Sequence, residues 1–246
     1  VPSVIQSLME RQVDFSPVSV LNMAGEPIPY AIKEQLDPLP IEVRNIYGPS
    51  EYASGTSCYR FSPDSKEILI GKPLANTEIL ILDEQNNVLP IGIKGEIYIG
   101  GDNLTRGYLN QPELTHDKYV DHPFTPGKKL FKSGDIGRWN DTGNIEFFGR
   151  KDNQVKLRGY RIELGEIESA VNLHPSVEMS IAEVKQNEQN EAVLVGYYSG
   201  KETETSKFRE FLENKIPSHM IPVIFIHMTT WELTPNGKVD RKRLPA

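Results

Sequence analysis

Disulfides, membrane spans and surplus positive charge are all missing from this sequence, and each absence narrows its identity. One cysteine, Cys58, stands among 246 residues, so no disulfide can form within the chain, which fits a reducing compartment. No apolar run approaches the ~18–20 residues of a membrane span, and no basic flank precedes an apolar stretch at the N-terminus. Cations are in deficit: 27 Lys and Arg against 34 Asp and Glu give a net charge of −7, the wrong sign for neutralising a phosphate backbone. Neither a nucleic-acid partner nor a membrane is expected. The five histidines have no metal-ligand spacing, and there is no internal repeat or low-complexity tract. What is present, 38% hydrophobic and 25% charged residues, is the composition of an ordinary globular protein, long enough for one large domain or two smaller ones. The expectation is a cytoplasmic enzyme or binding domain.

The chain opens at Val1-Pro2-Ser3 without a Met, and Val4, Ile5, Leu8 and Met9 already sit at helical spacing. It reads as a fragment entered in mid-fold, and its end at Arg243-Leu244-Pro245-Ala246 reads as a cut at a domain edge. Residues 1–65 alternate a helix (Ser3–Arg11), a strand (Val18–Met23), a helix (Ile28–Leu36) and a strand (Ile41–Ile46), as in an open, incomplete parallel α/β sheet. Over 66–150 the pattern changes to short extended runs, Thr77–Leu82, Gly95–Ile99, Lys129–Phe131 and Ile145–Phe148, separated by turn clusters at 83–87 and 140–143. A small antiparallel barrel or sandwich is expected there. From 151 to 246 the alternation returns: a hairpin (Gln154–Arg161), a helix (Gly165–Asn172), strands Ser180–Val184 and Ala192–Tyr198, a helix from about Ser206, and a strand Val223–Met228. In that last helix Phe208, Phe211, Leu212 and Ile216 fall on one face. A compact α+β domain is expected, with its boundary near Lys151-Asp152.

Four clusters offer chemistry. Asn45-Ile46-Tyr47-Gly48-Pro49-Ser50-Glu51 follows a predicted strand, where α/β sheets bind ligands, and gathers an aromatic face, a hydroxyl and a carboxylate; Gly-Pro after a strand is also an ordinary turn. Gly134-Asp135 could accept two hydroxyls, as from a ribose, or simply turn the chain. The segment 149–168 is a charged hairpin running into a helix with acidic residues in its first turn. Thr234-Pro235-Asn236-Gly237-Lys238 presents one lysine from a Pro/Gly turn, although loop lysines are commonly just solvated.

Taken together with one further signature, running from Gly95-Glu96-Ile97-Tyr98-Ile99-Gly100-Gly101 through Leu104-Thr105-Arg106-Gly107-Tyr108-Leu109, these clusters resemble the C-terminal part of the amino-acid adenylation domains of nonribosomal peptide synthetases. Those domains are members of the adenylate-forming, AMP-binding superfamily, with acyl-CoA ligases and luciferases. Five motifs in family order cover nearly the whole chain, and the wording of Gln154-Val155-Lys156, Arg158-Gly159 and 161–168 favours peptide synthetases over acyl-CoA ligases. The implied fold is the adenylate-forming one in part: α/β, a small β-barrel and an α+β C-terminal domain, with 1–150 the C-terminal part of the core and 151–246 a mobile subdomain.

The resemblance implies an ATP-dependent ligase that activates an amino acid as aminoacyl-AMP, releases pyrophosphate, and passes the acyl group to a carrier protein's phosphopantetheine thiol. It implies that Asn45 meets the adenine amino group, that Tyr47 and Phe147 cover the two adenine faces, and that Ser50 lies beside the phosphates. Glu51 would hold Mg²⁺, a hard cation suited to a carboxylate and phosphate oxygens. Asp135 would bind the ribose hydroxyls with Arg150 assisting, and Lys238 would bridge the substrate carboxylate and the α-phosphate. Asp152 matches the hinge about which Lys238 and the hairpin around Gln154–Gly159 exchange places. Asn22, Ala24, Gly25, Ile46, Ser54 and Gly55 align with the substrate pocket, where Asn22 and Ser54 favour a side chain that can hydrogen bond; packing into the core is an equal alternative for Ala24 and Ile46.

The family's glycine-rich phosphate loop and the Asp for the α-amino group belong upstream of Val1 and are absent, as is a carrier domain. The implied partners are therefore the amino acid, an upstream adenylation-core segment, a phosphopantetheinyl carrier and, as a neighbour, a condensation domain. Two other readings differ in class: a non-catalytic docking fragment for a carrier or neighbouring domain, and a standalone acyl-thiol ligase.

Overall fold

Pro2, whose missing N–H costs nothing in a first turn, opens α1 (Pro2–Glu10), which buries Ile5. Then follow β1 (Val20–Ala24), α2 (Tyr30–Leu36), β2 (Glu42–Tyr47), β3 (Ser57–Arg60) and the short β4 (Lys72–Pro73). These strands form one sheet in the order β1-β2-β3-β4, with β1 and β2 parallel and the other pairs antiparallel. Period-2 alternation sorts its two faces. Met23 and Val43 join Ile5, Ile28, Ile32 and Leu36 in a core under the helices.

β5 (Thr77–Leu82), β6 (Gly95–Gly101), α3 (Pro112–Lys118), β7 (Tyr119–Asp121), β8 (Lys129–Trp139) and β9 (Ile145–Arg150) come next. Their strands make a five-stranded antiparallel sheet ordered β5-β6-β8-β7, with β9 also on β8. Ile79, Ile81, Ile97, Ile99, Phe131 and Ile145 are its core. The predicted strand 129–131 is thus the start of an 11-residue strand, and Gly134-Asp135 lies within it. Register shifts against β6 and β9 bracket the pair, and Gly134 takes a positive φ of 78°, a conformation that some bulges use and glycine permits.

The remaining elements are β10 (Gln154–Leu157), β11 (Tyr160–Glu163), α4 (Leu164–Asn172), β12 (Val177–Gln186), β13 (Ala192–Gly200), α5 (Thr205–Leu212) and β14 (Ile224–His227). β12 and β13 are antiparallel, and β13 and β14 parallel. Leu194, Tyr198 and Phe225 share a core with Ile167, Val171, Phe208 and Leu212 of α4 and α5. Val195 and Tyr197 meet Leu244 in a second cluster, so the C-terminal segment covers the face opposite the helices.

The structure is a computed structural model that describes residues 1–62, 65, 67–152, 154–187, 191–234 and 239–245. The chain divides into two compact units, Val1–Asp152 and Asn153–Ala246. Among the described residues no helix is long and apolar enough to cross a membrane.

Candidate functional site

The end of β2 and the bulge in β8 meet. Tyr47, the last residue of β2, donates its hydroxyl to Asp135 Oδ2, joining side chains 88 positions apart. Asp135 Oδ1 accepts Arg150 Nη1 at 2.8 Å. The same guanidinium grips Asp152 with two further bonds, Nε to Oδ1 at 2.6 Å and Nη2 to Oδ2 at 2.7 Å, the fork geometry that suits Arg to carboxylates. Gly134 is what lets this happen: a Cβ there would sit 2.7 Å from Arg150 Nη2 and 2.8 Å from Asp152 Oδ2. Tyr47 and Asp135 are both buried. Burial, and then the negative Asp135 beside it, push the Tyr47 hydroxyl well above its ordinary pKa, so the phenol stays a donor.

Around this chain of polar contacts lie the other predicted residues. Asn45, also buried, donates Nδ2 to the Leu69 carbonyl at 2.8 Å, which fixes the amide so that its own oxygen is the acceptor on offer. Phe147 stands 6.1 Å from Tyr47, centroid to centroid, with the rings tilted at 43°. A ring sandwiched between two others needs about 7 Å between parallel faces, so the pair as it stands is one tilted contact, and a flat ligand between the rings requires them to part. Glu51 is buried in a single turn of 3-10 helix, Ser50–Tyr52, where its Oε1 accepts the Tyr108 hydroxyl at 2.5 Å. Ser50 is exposed at the start of that turn.

Three of the pocket candidates, Asn22, Ala24 and Ile46, share a sheet face. Ala24 pairs with Ile46, and Asn22 with Arg44, across β1 and β2; Ile46 pairs with Cys58 across β2 and β3. This is the face away from Met23 and Val43, so Ala24 and Ile46 lie outside the helical core. Gly55 lies over them: a Cβ on it would come within 2.9 Å of Ile46 Cγ2. Gly25 follows β1 with φ of 88°, and Asn22 and Ser54 are exposed. Lys238 lies outside the described residues. The base of its loop does not: Leu233 and Val239 form a bridge, and Asp240 N donates to Glu232 O at 2.8 Å.

Sequence reasoning missed the supports. Tyr108 holds Glu51 across 57 positions, and the Leu69 carbonyl holds Asn45 across 24; no local pattern announces either pairing. As for metal, no group of three or more His, Cys, Asp or Glu is placed to hold an ion among the described residues. One buried carboxylate fits Mg²⁺ only where phosphate oxygens and water complete the shell, the usual mode for that ion.

Three comparisons bear on this geometry. Residues 1–109 match the family described as AMP-binding enzyme. Gramicidin S synthase 2 of Aneurinibacillus migulanus is 42% identical over 250 residues, all of this chain and 6% of that synthase. Bacitracin synthase 1 of Bacillus licheniformis is 46% identical over 205 residues, 82% of this chain and 4% of that protein. The chain therefore spans a small fraction of the length of the relatives it matches. Among solved structures, holo-PA1221, an NRPS protein containing adenylation and PCP domains bound to a vinylsulfonamide inhibitor, superposes with a TM-score of 0.85 at 26% identity, covering 99% of this chain and 43% of that one.

Proposed function

Because the chain belongs to the AMP-binding enzymes, and among them to the amino-acid adenylation domains of nonribosomal peptide synthetases, we propose that it takes part in making an aminoacyl-AMP from ATP and in handing the aminoacyl group to a carrier thiol. The observation that carries this reading is the Tyr47–Asp135–Arg150 constellation, its tyrosine and aspartate buried, with Asn45 fixed beside it. A carboxylate accepts at each oxygen from more than one donor, so a vicinal diol can join or replace Tyr47 and Arg150 on Asp135. The Asn45 amide oxygen suits an exocyclic amine, and the aromatic faces of Tyr47 and Phe147 suit a purine, with stacking on protein aromatics worth about 1–3 kcal/mol per base.

In the adenylating step the substrate carboxylate oxygen attacks the α-phosphorus. The acyl–phosphate bond forms as the α–β phosphoanhydride bond breaks, and pyrophosphate leaves. Lys238 would counter the charge that develops on the α-phosphate, and Ser50 would offer its hydroxyl to the phosphates. Mg²⁺ held by Glu51 would neutralise phosphate charge. In the second step a phosphopantetheine thiol, giving up its proton, attacks the acyl carbon and AMP leaves. Asp152, the last residue of the first unit, is the pivot between the two steps. Asn22, Ala24, Gly25, Ile46, Ser54 and Gly55 line the amino-acid pocket. An upstream core segment supplies the remaining phosphate contacts, and the carrier comes from a neighbouring domain, as PCP does in the structure matched above.

The test is amino-acid-dependent ATP–pyrophosphate exchange, run on this chain and on the chain extended upstream, against a panel of amino acids. Exchange by the extended chain with one responding amino acid is expected. Lys238→Ala should then cost about 10²–10³ in exchange rate while ATP affinity holds. Silence from both chains, or exchange untouched by Lys238→Ala, overturns the reading or the lysine's role respectively.

A further inference from the structure

Glu96 is a buried carboxylate, 7% exposed, in a strand whose next residues are the buried Ile97, Tyr98 and Ile99. Burying a charge there is costly unless it is hydrogen-bonded. Its partner is a backbone amide: Gly134 N donates to Glu96 Oε1 at 3.2 Å. That amide belongs to the bulge, where the ladder between β6 and β8 shifts register and backbone groups lose their regular strand partners. Ser133 and Asp135 are handled the same way. Ser133 Oγ donates to Ile97 O at 2.6 Å and accepts Asp135 N at 3.0 Å. Three consecutive residues, Ser133 to Asp135, are thus tied down by side-chain bonds where the ladder is interrupted. The second Glu96 oxygen faces Lys151 Nζ at 3.9 Å, and Lys151 N donates to Gly134 O at 2.8 Å, so both amide groups flanking the bulge glycine have a fixed partner.

We propose that Glu96 is a positioning residue: by accepting the Gly134 N–H, its carboxylate fixes the bulge from which Asp135 meets the ribose hydroxyls of the nucleotide. This rests on the assignment of Asp135 to the ribose made above. Glu96 itself never touches the ligand. Its effect is on the aim of Asp135, so it governs recognition of the ribose hydroxyls more than that of the purine or phosphate.

The experiment measures affinity for two probes, AMP and 2′,3′-dideoxy-AMP, in the full-length protein and its variants, with exchange of the Gly134 amide as a second readout. The wild type should prefer AMP, and Asp135→Asn should abolish the preference. Glu96→Ala should reduce the preference about tenfold, the scale of a hydrogen bond to a charged group, and speed Gly134 exchange. Glu96→Gln, which keeps an acceptor oxygen in place, should recover most of both. Should Glu96→Ala fail to fold, Glu96→Asp, with its carboxylate drawn back by one methylene, carries the same expectation. A Glu96→Ala or Glu96→Asp variant that keeps the wild-type preference, or weakens both probes equally, overturns the positioning role while leaving Asp135 in place. A wild type without preference, or an Asp135→Asn that keeps it, overturns the ribose assignment and this proposal with it.

Discussion

At the scale of single residues, Gly134 shows how little room the site has. Its φ of 78° is one that a side chain makes unfavourable by about 1–2 kcal/mol, and a methyl group would press on the Arg150–Asp152 pair at 2.7 and 2.8 Å. Gly134→Ala is therefore expected to lower the thermal midpoint of the first unit by roughly 2–8 °C and to weaken nucleotide binding, checked by calorimetry and by titration with AMP. A variant as stable and as tight-binding as the wild type would mean that the bulge relaxes freely. Asn45, Tyr47, Glu51 and Asp135, the groups proposed to meet the ligand, stand out in the sequence because aromatic, amide and carboxylate groups cluster beside Gly and Pro turns. The residues that aim them do not. Glu96 acts on Gly134 from 38 positions away and Tyr108 on Glu51 from 57, and separations of that size leave no trace in local spacing.

At the scale of elements, the sequence pattern located α1, β1, α2 and β2 within a few residues, and also the strands and helices of the second unit, because each has a clear 3.6- or 2-residue apolar period. It passed over β3, β4, α3 and β7. β4 is two residues long, and α3 buries none of its side chains, so neither carries a period to detect. β8 was cut short because a glycine and an aspartate interrupt its alternation, and only pairing with β6 and β9 carries the strand across them. In the second unit a side-chain network does similar joining. Arg241 donates to Glu183 at 2.8 Å, to the Ala182 carbonyl at 2.9 Å and to Glu168 at 2.6 Å, tying the segment after Lys238 to α4 and β12. Arg241→Ala leaves two carboxylates without that guanidinium and should cost the second unit about 1.5–3 kcal/mol. Urea unfolding followed in that unit checks the loss, and a change below 0.5 kcal/mol, about the size of ordinary surface substitutions, would place the network outside the stabilising core.

At the scale of the whole molecule, buried phenols in both units set an alkaline limit. Burial, and then the charge of Glu96, raise the Tyr98 pKa to about 12. Tyr47 is raised well above 10.0 by burial and Asp135, and Tyr197 is raised by burial and Glu183. In the unfolded chain these phenols ionise near their ordinary 10.0, whereas in the fold they keep their protons. Their contribution to stability is accordingly whole below pH 10 and drains away as pH climbs towards 12. Absorbance at 295 nm should show exposed tyrosines ionising first and the buried ones later, together with loss of secondary structure. Ten tyrosines titrating in one step near pH 10 with the fold intact would contradict this.

The pairing of Ile46 with Cys58 has an experimental use. The chain's one thiol stands on the sheet face that carries Ala24 and Ile46, so a fluorophore attached there becomes a reporter on that face with no competing attachment point. Burial holds the thiol above its ordinary pKa, leaving less thiolate at neutral pH. Attachment is accordingly slow at pH 7 and quickens as the solution is made more alkaline, and the labelling rate itself becomes a gauge of how open that face is.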